Sequence, residues 1–128
     1  MPSPKQQKPP LILLVEEEAT ERVAIARHLQ DAGFAVLEAA DSDAAMAFLK
    51  ERSDLGGLVT DAHVPGQIDG FELARLVRER WPDIAVVMTS GHSDHTSGPV
   101  PEGSEFVAKP YLLSQLAPAL ERLIGRDR

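Results

Sequence analysis

The sequence contains no cysteine, which excludes disulfide bonds and thiolate metal sites. Basic residues are also few: 13 Lys and Arg face 20 Asp and Glu, and the formal net charge is -7. Because the basic residues form no block, we expect neither nucleic acid nor an anionic membrane as a direct partner. The early apolar run Leu11–Val15 is too short for a signal-peptide core or a membrane span, so we expect a cytoplasmic protein.

The length and the N-terminal composition of the chain indicate one domain. A chain of 128 residues is enough for a single domain with a single core. Residues 1–10, MPSPKQQKPP, contain four prolines and predict a disordered tail. We therefore place one domain at residues 11–125 and expect it to act as a stand-alone unit.

Short apolar runs alternate with segments of helical period. The runs lack strict polar alternation, which is typical of strands buried in a parallel sheet. Five such strands are predicted, at Leu11–Val15, Phe34–Leu37, Leu58–Thr60, Ile84–Met88 and Phe106–Ala108. The repeated strand–helix order predicts an α/β fold, a doubly wound parallel sheet with helices on both faces.

Helices are predicted between and after these strands. A helical period over residues 20–32 predicts the first helix, with Gly33 as its stop, and Asp41 or Ser42 is the predicted N-cap of the second. The repeat Leu73, Val77 and Trp81 predicts a third helix. Ser114 before Leu116 and Leu120 predicts the last one. Residues 91–104, by contrast, contain Val100 as their only large apolar residue. A helix there would have almost nothing to bury, so we expect it to be short, irregular or mobile.

Chemically active side chains are predicted to gather at one edge of the sheet. They follow four different strands, namely Glu16, Glu17 and Glu18, then Asp61, then Thr89 and Ser90, then Lys109. In open parallel sheets, ligands bind outside the carboxyl ends of the strands. Each group also has a structural explanation by itself, since strand-end carboxylates favour the next helix and a lone Asp often forms a turn. Their shared position at the strand ends predicts a site.

The chemistry of this set is that of phosphoryl transfer. Clustered carboxylate oxygens suit a hard cation such as Mg²⁺, and an Asp carboxylate can attack a phosphoryl group to form an acyl phosphate. A lysine can neutralise the phosphoryl oxygens, and a hydroxyl can hydrogen-bond the new phosphate. We assign Glu18 to the start of the following helix instead.

At these residues the chain resembles the receiver domain of two-component response regulators, over roughly residues 11–125. The segments that carry the resemblance are LILLVEEE, VTDAHVPGQIDG, VVMTSGH and FVAKPY. The resemblance implies a flavodoxin-like five-stranded parallel sheet with the strand order 2-1-3-4-5, which is that of the family's chemotaxis member. It also implies a signalling domain that catalyses only its own phosphorylation and dephosphorylation.

The resemblance implies a phosphoacceptor and a metal site. Asp61 would accept a phosphoryl group from a phosphohistidine on a histidine kinase or a histidine phosphotransfer protein. Glu16 and Glu17 would match the family's acidic pair and bind Mg²⁺ or Mn²⁺ together with Asp61. The backbone carbonyl of His63 would supply a further metal ligand.

The remaining roles concern the phosphate and the signal. Lys109 would pair with the phosphate, Ser90 matches the switch hydroxyl better than Thr89, and Phe106 falls at the aromatic switch position. His63 and His92 could line the site and control the access of water, which would set the lifetime of the acyl phosphate. Phosphorylation would then switch the binding of an unidentified downstream protein, or the domain would relay or absorb phosphoryl groups.

Four departures from the family pattern stand out. The pair Glu16–Glu17 replaces the usual Asp-Asp or Glu-Asp, and the extra methylene moves a carboxylate by about 1.5 Å. Mg²⁺ tolerates little geometric error, so this pair bears on metal binding. The loop after Asp61 is longer than the commonest form, the segment 90–109 is shorter, and Phe106 lacks the hydroxyl of a Tyr.

The sequence also bears on three other functions. The Glu-Glu pair favours a pseudo-receiver, the same fold used as a phosphorylation-independent protein-interaction module. A phosphatase of the haloacid dehalogenase type would need a second Asp where His63 stands. Dinucleotide binding is disfavoured because no Gly-x-Gly-x-x-Gly follows the first strand.

Overall fold

Strands and helices alternate along the residues that the structure, a computed structural model, describes: 8–90, 100–108 and 115–125. The elements are β1 (Leu11–Val15), α1 (Ala19–Asp31), β2 (Ala35–Ala39), α2 (Ser42–Glu51), β3 (Leu55–Asp61), α3 (Gly70–Arg80), β4 (Ala85–Ser90), β5 (Glu105–Ala108) and α4 (Leu116–Ile124). None of the helices in these ranges is long and apolar enough to cross a membrane.

The five strands form one parallel sheet in the order β2-β1-β3-β4-β5, which confirms the expected fold. Val15, the last residue of β1, lies opposite Ala39 on one side and Thr60 on the other. Asp61, the last residue of β3, lies opposite Thr89. The carboxyl ends of the three central strands are therefore level, and the residues that follow them share one edge.

Each face of the sheet has its own core, because alternate strand residues point to opposite faces. Ile12, Leu14, Val59 and Val87 pack with residues of α1 and α4. The other face packs α2 and α3 against a second set, which is Leu13, Val15, Leu58, Val86 and Met88. This two-sided burial explains why the strands read as continuous apolar runs rather than as an alternating pattern.

Four of the five strands differ from their predicted bounds, by one to three residues at an end, and β1 alone matches. β3 begins at Leu55 rather than Leu58 and includes Gly56 and Gly57, which carry no apolar signal. A Cβ at position 57 would approach Ile12 Cδ1 to 2.8 Å, so a side chain there would require the Ile12 side chain to shift. β2 begins after Phe34, because the Phe34 amide donates back to the Leu29 carbonyl at 3.0 Å.

The helix starts follow from capping side chains. Asp41 caps α2 by accepting a hydrogen bond from the Ala44 amide at 2.7 Å, so of the two predicted caps it is Asp41 that acts. Gly33, with a φ of 101°, ends α1 as predicted. Ser114 lies outside the described residues, and the Gln115 side chain makes no capping hydrogen bond to α4.

The link between β4 and β5 is described only from residue 100 onward. Residues 101–104 form a turn in which the Ser104 amide donates to the Pro101 carbonyl at 3.1 Å. Residues 91–99 lie outside the described ranges, so the expectation about a helix there stays a prediction.

Candidate functional site

Glu16, Asp61 and Thr89 form one row across the carboxyl ends of β1, β3 and β4. Asp61 pairs directly with Thr89, and Glu16 follows Val15, which pairs with the residue before Asp61. Neighbouring strands lie about 4.8 Å apart, so the backbones of these three residues, which carry two carboxylates and a hydroxyl, lie side by side at the sheet edge. By strand alternation, Glu16 and Asp61 leave the sheet on the face covered by α1 and α4.

Glu16 is held in place by hydrogen bonds to its backbone and its side chain. Only 3% of the residue is exposed. Its amide donates to the Ala39 carbonyl at 3.0 Å, and its Oε2 accepts from the Glu18 amide at 3.1 Å. A buried carboxylate is costly unless hydrogen-bonded, so this contact fixes the orientation of the Glu16 side chain.

The next two glutamates, Glu17 and Glu18, are exposed, and their positions differ. Glu18 is the N-cap of α1, and its Oε1 accepts from the Glu21 amide at 2.9 Å, which confirms its assignment to the helix start. Glu17 lies between the buried carboxylate and the cap, on the solvent side of the turn.

Arg22 is a site residue that the sequence interpretation missed. Its Nη1 donates to the backbone carbonyl of Glu16 at 2.9 Å and to that of Glu17 at 3.4 Å. Its Nε forms an ion pair with Glu38 Oε1 on β2 at 3.1 Å. One signal could have revealed it, because a cation in the first turn of a helix opposes the helix dipole and needs another reason to be there.

Asp61 is partly buried at the end of β3. Its Oδ1 accepts from the His63 amide at 3.3 Å, and its carbonyl accepts from Thr60 Oγ1 at 3.0 Å. The Ala62 amide then donates to the Thr89 carbonyl at 2.7 Å. Strand pairing thus continues one residue past Asp61, which holds its backbone against β4.

The start of α3 packs against the backbone of the same residue. A Cβ at position 70 would collide with the Asp61 carbonyl oxygen and would lie 2.8 Å from Ala62 Cα. The Gly70 amide donates to the Ala62 carbonyl at 2.9 Å. Only glycine lets the helix begin this close to the strand end.

The loop between Asp61 and α3 is fastened at its middle to the start of α2. The Ser42 amide donates to the Pro65 carbonyl at 2.9 Å, and Ser42 Oγ accepts from the Ile68 amide at 3.3 Å. Gly66 has a φ of 120°, and a Cβ there would collide with Ser42 Oγ. The sequence interpretation considered Ser42 only as a helix cap and missed its contact with this loop, because Ser42 and Ile68 are 26 residues apart and leave no local pattern.

The other predicted site residues lie at the edge of, or beyond, the described ranges. The Ser90 backbone pairs with Ala108, the residue before Lys109 in the chain. The Ser90 side chain, Lys109 and His92 lie outside what the structure describes. Phe106 lies on β5 opposite Met88 and packs, partly buried, against the core on the α2 and α3 face.

The oxygen donors at the sheet edge fit a cation that keeps much of its water. Within residues 8–90, 100–108 and 115–125, no group of three or more His, Asp or Glu side chains is arranged to hold a metal ion. Mg²⁺ does not need such a cage, since it is usually held by one or two carboxylates together with waters and substrate phosphates. Glu16 and Asp61 supply the hard oxygen donors that it prefers.

Comparisons with known proteins agree with this geometry. A family model described as a response regulator receiver domain matches residues 12–121. The chain is 33% identical over 123 residues to the sensor kinase CckA of Brucella abortus (strain 2308), which covers 91% of this chain and 13% of the kinase. It is 30% identical over 123 residues to the C4-dicarboxylate transport transcriptional regulatory protein DctD of Rhizobium meliloti (strain 1021), covering 93% of this chain and 26% of that protein.

Solved structures show the same architecture. The crystal structure of a response regulator receiver protein from Sinorhizobium medicae WSM419 matches with a TM-score of 0.83 at 32% identity, over 94% of this chain and 98% of that one. The chain therefore spans nearly all of this solved protein, but only 13% and 26% of the two curated relatives.

Proposed function

Because the chain belongs to the response regulator receiver domain family, we propose that Asp61 accepts a phosphoryl group from a phosphohistidine. The donor would be a histidine kinase or a histidine phosphotransfer protein. An Asp61 carboxylate oxygen attacks phosphorus, the phosphorus–nitrogen bond breaks, and its electron pair returns to the imidazole, which takes up a proton. Attack by water on the acyl phosphate later restores the carboxylate and releases inorganic phosphate.

The placement of Asp61 supports this proposal most directly. It stands at the carboxyl end of a central strand, beside Glu16 and in register with Thr89. Its backbone is fixed by Ala62 pairing with β4 and by the close packing of Gly70. Phosphoryl transfer depends mainly on positioning the reacting groups and on neutralising charge. A fixed backbone at Asp61 supplies the positioning of the attacking carboxylate.

The metal would be Mg²⁺, with Mn²⁺ as a substitute. Glu16, Glu17 and Asp61 and the backbone carbonyl of His63 would hold it. When bound, the ion neutralises phosphoryl oxygens as charge develops on them. The buried Glu16 carboxylate, oriented by the Glu18 amide, is the donor whose position the fold determines most closely.

The remaining residues of the proposal lie on or after the other strand ends. Lys109 would pair with the phosphate, Ser90 would hydrogen-bond it, and Phe106 would respond as the switch aromatic. His63 and His92 would control the access of water to the acyl phosphate. The support is sequence position, together with the pairing of the Ser90 backbone with the residue before Lys109.

The output would be a change in protein binding rather than the turnover of a separate substrate. Phosphorylation adds charge to the site, and an unidentified downstream protein would read the altered surface. Relay of the phosphoryl group to a histidine phosphotransfer protein is the other use of the same chemistry. The proposal concerns a receiver domain acting in the cytoplasm, whether it signals as a stand-alone unit or within a longer protein.

Incubation with a small phosphodonor tests the proposal. The protein is treated with acetyl phosphate and Mg²⁺, and intact mass is compared between the parent and Asp61→Asn. We expect the parent alone to gain one phosphoryl group, and to gain none when EDTA removes Mg²⁺ before the phosphodonor is added. A parent that stays unmodified refutes the proposal.

A pseudo-receiver is the second candidate, favoured by the Glu16–Glu17 pair. Here the fold binds a protein without phosphorylation or metal. A Mg²⁺ titration followed by NMR separates the two functions. Saturable shifts at Glu17 and Asp61 are expected for the phosphoacceptor, and none for the pseudo-receiver.

A further inference from the structure

We propose that Arg22 is a positioning residue that fixes the Glu16–Glu17 turn and thereby sets the affinity of the site for a divalent cation. The inference rests on the proposed function, because it concerns the same cation site. Arg22 itself is not a ligand, since a guanidinium has no acceptor atom.

Arg22 connects the acidic turn to a second strand. One guanidinium nitrogen, Nη1, donates to the carbonyls of Glu16 and Glu17, at 2.9 and 3.4 Å. Another, Nε, donates to Glu38 Oε1 at 3.1 Å. The Arg22 side chain is only 20% exposed and its bond to the Glu16 carbonyl is partly buried, so solvent screens that contact less than it screens an ordinary surface pair.

These contacts act on the carbonyl side of the turn. The amide of Glu16 is bound to β2, and its carboxylate is bound by the Glu18 amide. Arg22 fixes the carbonyl side of both Glu16 and Glu17, and with it the backbone torsion that aims each side chain. Glu17 has a longer side chain than the Asp usual at this position, so a rigid backbone beneath it limits the freedom that the extra methylene adds.

The positive charge of Arg22 disfavours cation binding. A positioning role and a purely electrostatic role therefore predict opposite changes in Mg²⁺ affinity when Arg22 is neutralised. If Arg22 acted only through its charge, neutralising it would tighten Mg²⁺ binding. If it positions the turn, neutralising it loosens the binding despite the more negative site. Replacement by lysine separates the two effects, because lysine keeps the charge but cannot present the planar fork of donors.

The test is a Mg²⁺ titration followed by ¹H–¹⁵N NMR, without phosphodonor. Arg22→Lys and Arg22→Gln are compared with the parent and with Arg75→Lys. Arg75 is the matched control, since it forms exposed ion pairs with Glu72 and Glu79 on α3, away from the site. We expect the Kd for Mg²⁺ to rise about tenfold in both Arg22 variants, the lower end for residues that orient metal ligands. The control is expected to match the parent.

A metal-free measurement accompanies the titration. Amide exchange at Glu18, whose amide donates to the Glu16 carboxylate, is expected to accelerate in the Arg22 variants and not in Arg75→Lys. If the Arg22 variants fail to fold, Glu38→Gln weakens the same attachment while leaving Arg22 in place. Faster exchange at Glu18 is expected there too, and unchanged exchange overturns the inference.

The outcomes separate this inference from the proposed function. A parent that binds Mg²⁺ while Arg22→Lys binds it equally well overturns the inference alone. Tighter binding by Arg22→Gln also overturns it, since Arg22 would then act through its charge. A parent that shows no saturable response overturns both the metal site and the role of Arg22 in its affinity.

Discussion

Gly70 and Asp61 are in backbone contact, so the first residue of α3 abuts the carbonyl of the last residue of β3. The geometry of the strand end therefore depends on a residue nine positions further along the chain. A side chain at position 70 cannot be accommodated without moving Asp61, α3 or both.

Gly70→Ala is expected to lower the free energy of unfolding by about 1–3 kcal/mol, the usual cost of overpacking. It should also impair phosphoryl acceptance by displacing Asp61. Urea unfolding and acetyl phosphate labelling measure the two effects. Gly56→Ala is the control, because its Cβ would meet Pro10 Cβ at an ordinary 3.6 Å. Equal stability of the two variants would show that the contact has been misjudged.

Ser42→Ala is expected to loosen the β3–α3 loop. Ser42 is fully buried, and its Oγ accepts from the Ile68 amide at 3.3 Å. Loss of this acceptor should cost about 1 kcal/mol and accelerate amide exchange at Ile68. The exposed Ser53→Ala serves as the control. Parent-like exchange at Ile68 would mean that the loop is held without the hydroxyl.

Glu18→Ala should affect folding without affecting the site. Removing the N-cap acceptor for the Glu21 amide is expected to cost about 0.5–2 kcal/mol, while Glu18→Ser should retain the stability because serine caps well. Thermal unfolding measures this difference. Both variants are expected to accept a phosphoryl group, whereas a loss of phosphorylation in Glu18→Ser would place Glu18 among the metal ligands.

Stability should depend on pH through Glu105 on β5. Hydrogen bonding to Arg122 of α4, at 2.7 and 3.1 Å, holds the pKa of the Glu105 carboxyl below its usual range. A depressed folded-state pKa contributes stability above the unfolded-state pKa of about 4.3, and this contribution is lost as pH falls through the folded value. Glu105→Gln should therefore be less stable than the parent at neutral pH, and the difference should shrink on acidification. Urea midpoints across acidic pH measure this, and a difference that grew as pH fell would contradict the assignment.

The strands and the position of Asp61 at the sheet edge were predictable because their signals are local. Apolar runs marked β1 and β4, and the position of Asp61 after such a run placed it at the sheet edge. The first residues of β3 were missed, since Gly56 and Gly57 give no hydrophobic signal although Gly57 is buried and Gly56 is partly buried. Their role emerges only when the neighbouring strand is in place beside them.

The contacts that support the site were not predictable for a related reason. Arg22 reaches Glu38 across 16 residues, and Ser42 reaches Ile68 across 26. No periodicity or motif spans such separations, so the sequence indicated candidate chemical groups but not the residues that hold them. The assignment of Glu18 to the helix start was correct, and its capping contact with the Glu21 amide spans only three residues.

The attachment of the β3–α3 loop to α2 also limits how this domain could be altered. Pro65 and Ile68 both contact Ser42, so the segment between them has a fixed span. An insertion there would have to bulge outward or break one of the two contacts, whereas a change of the exposed Gln67 side chain would disturb neither. In a designed library, selection for folded variants should remove changes of length at positions 66–67 even where substitutions are tolerated. Selected variants that keep Ser42 should also keep Gly66.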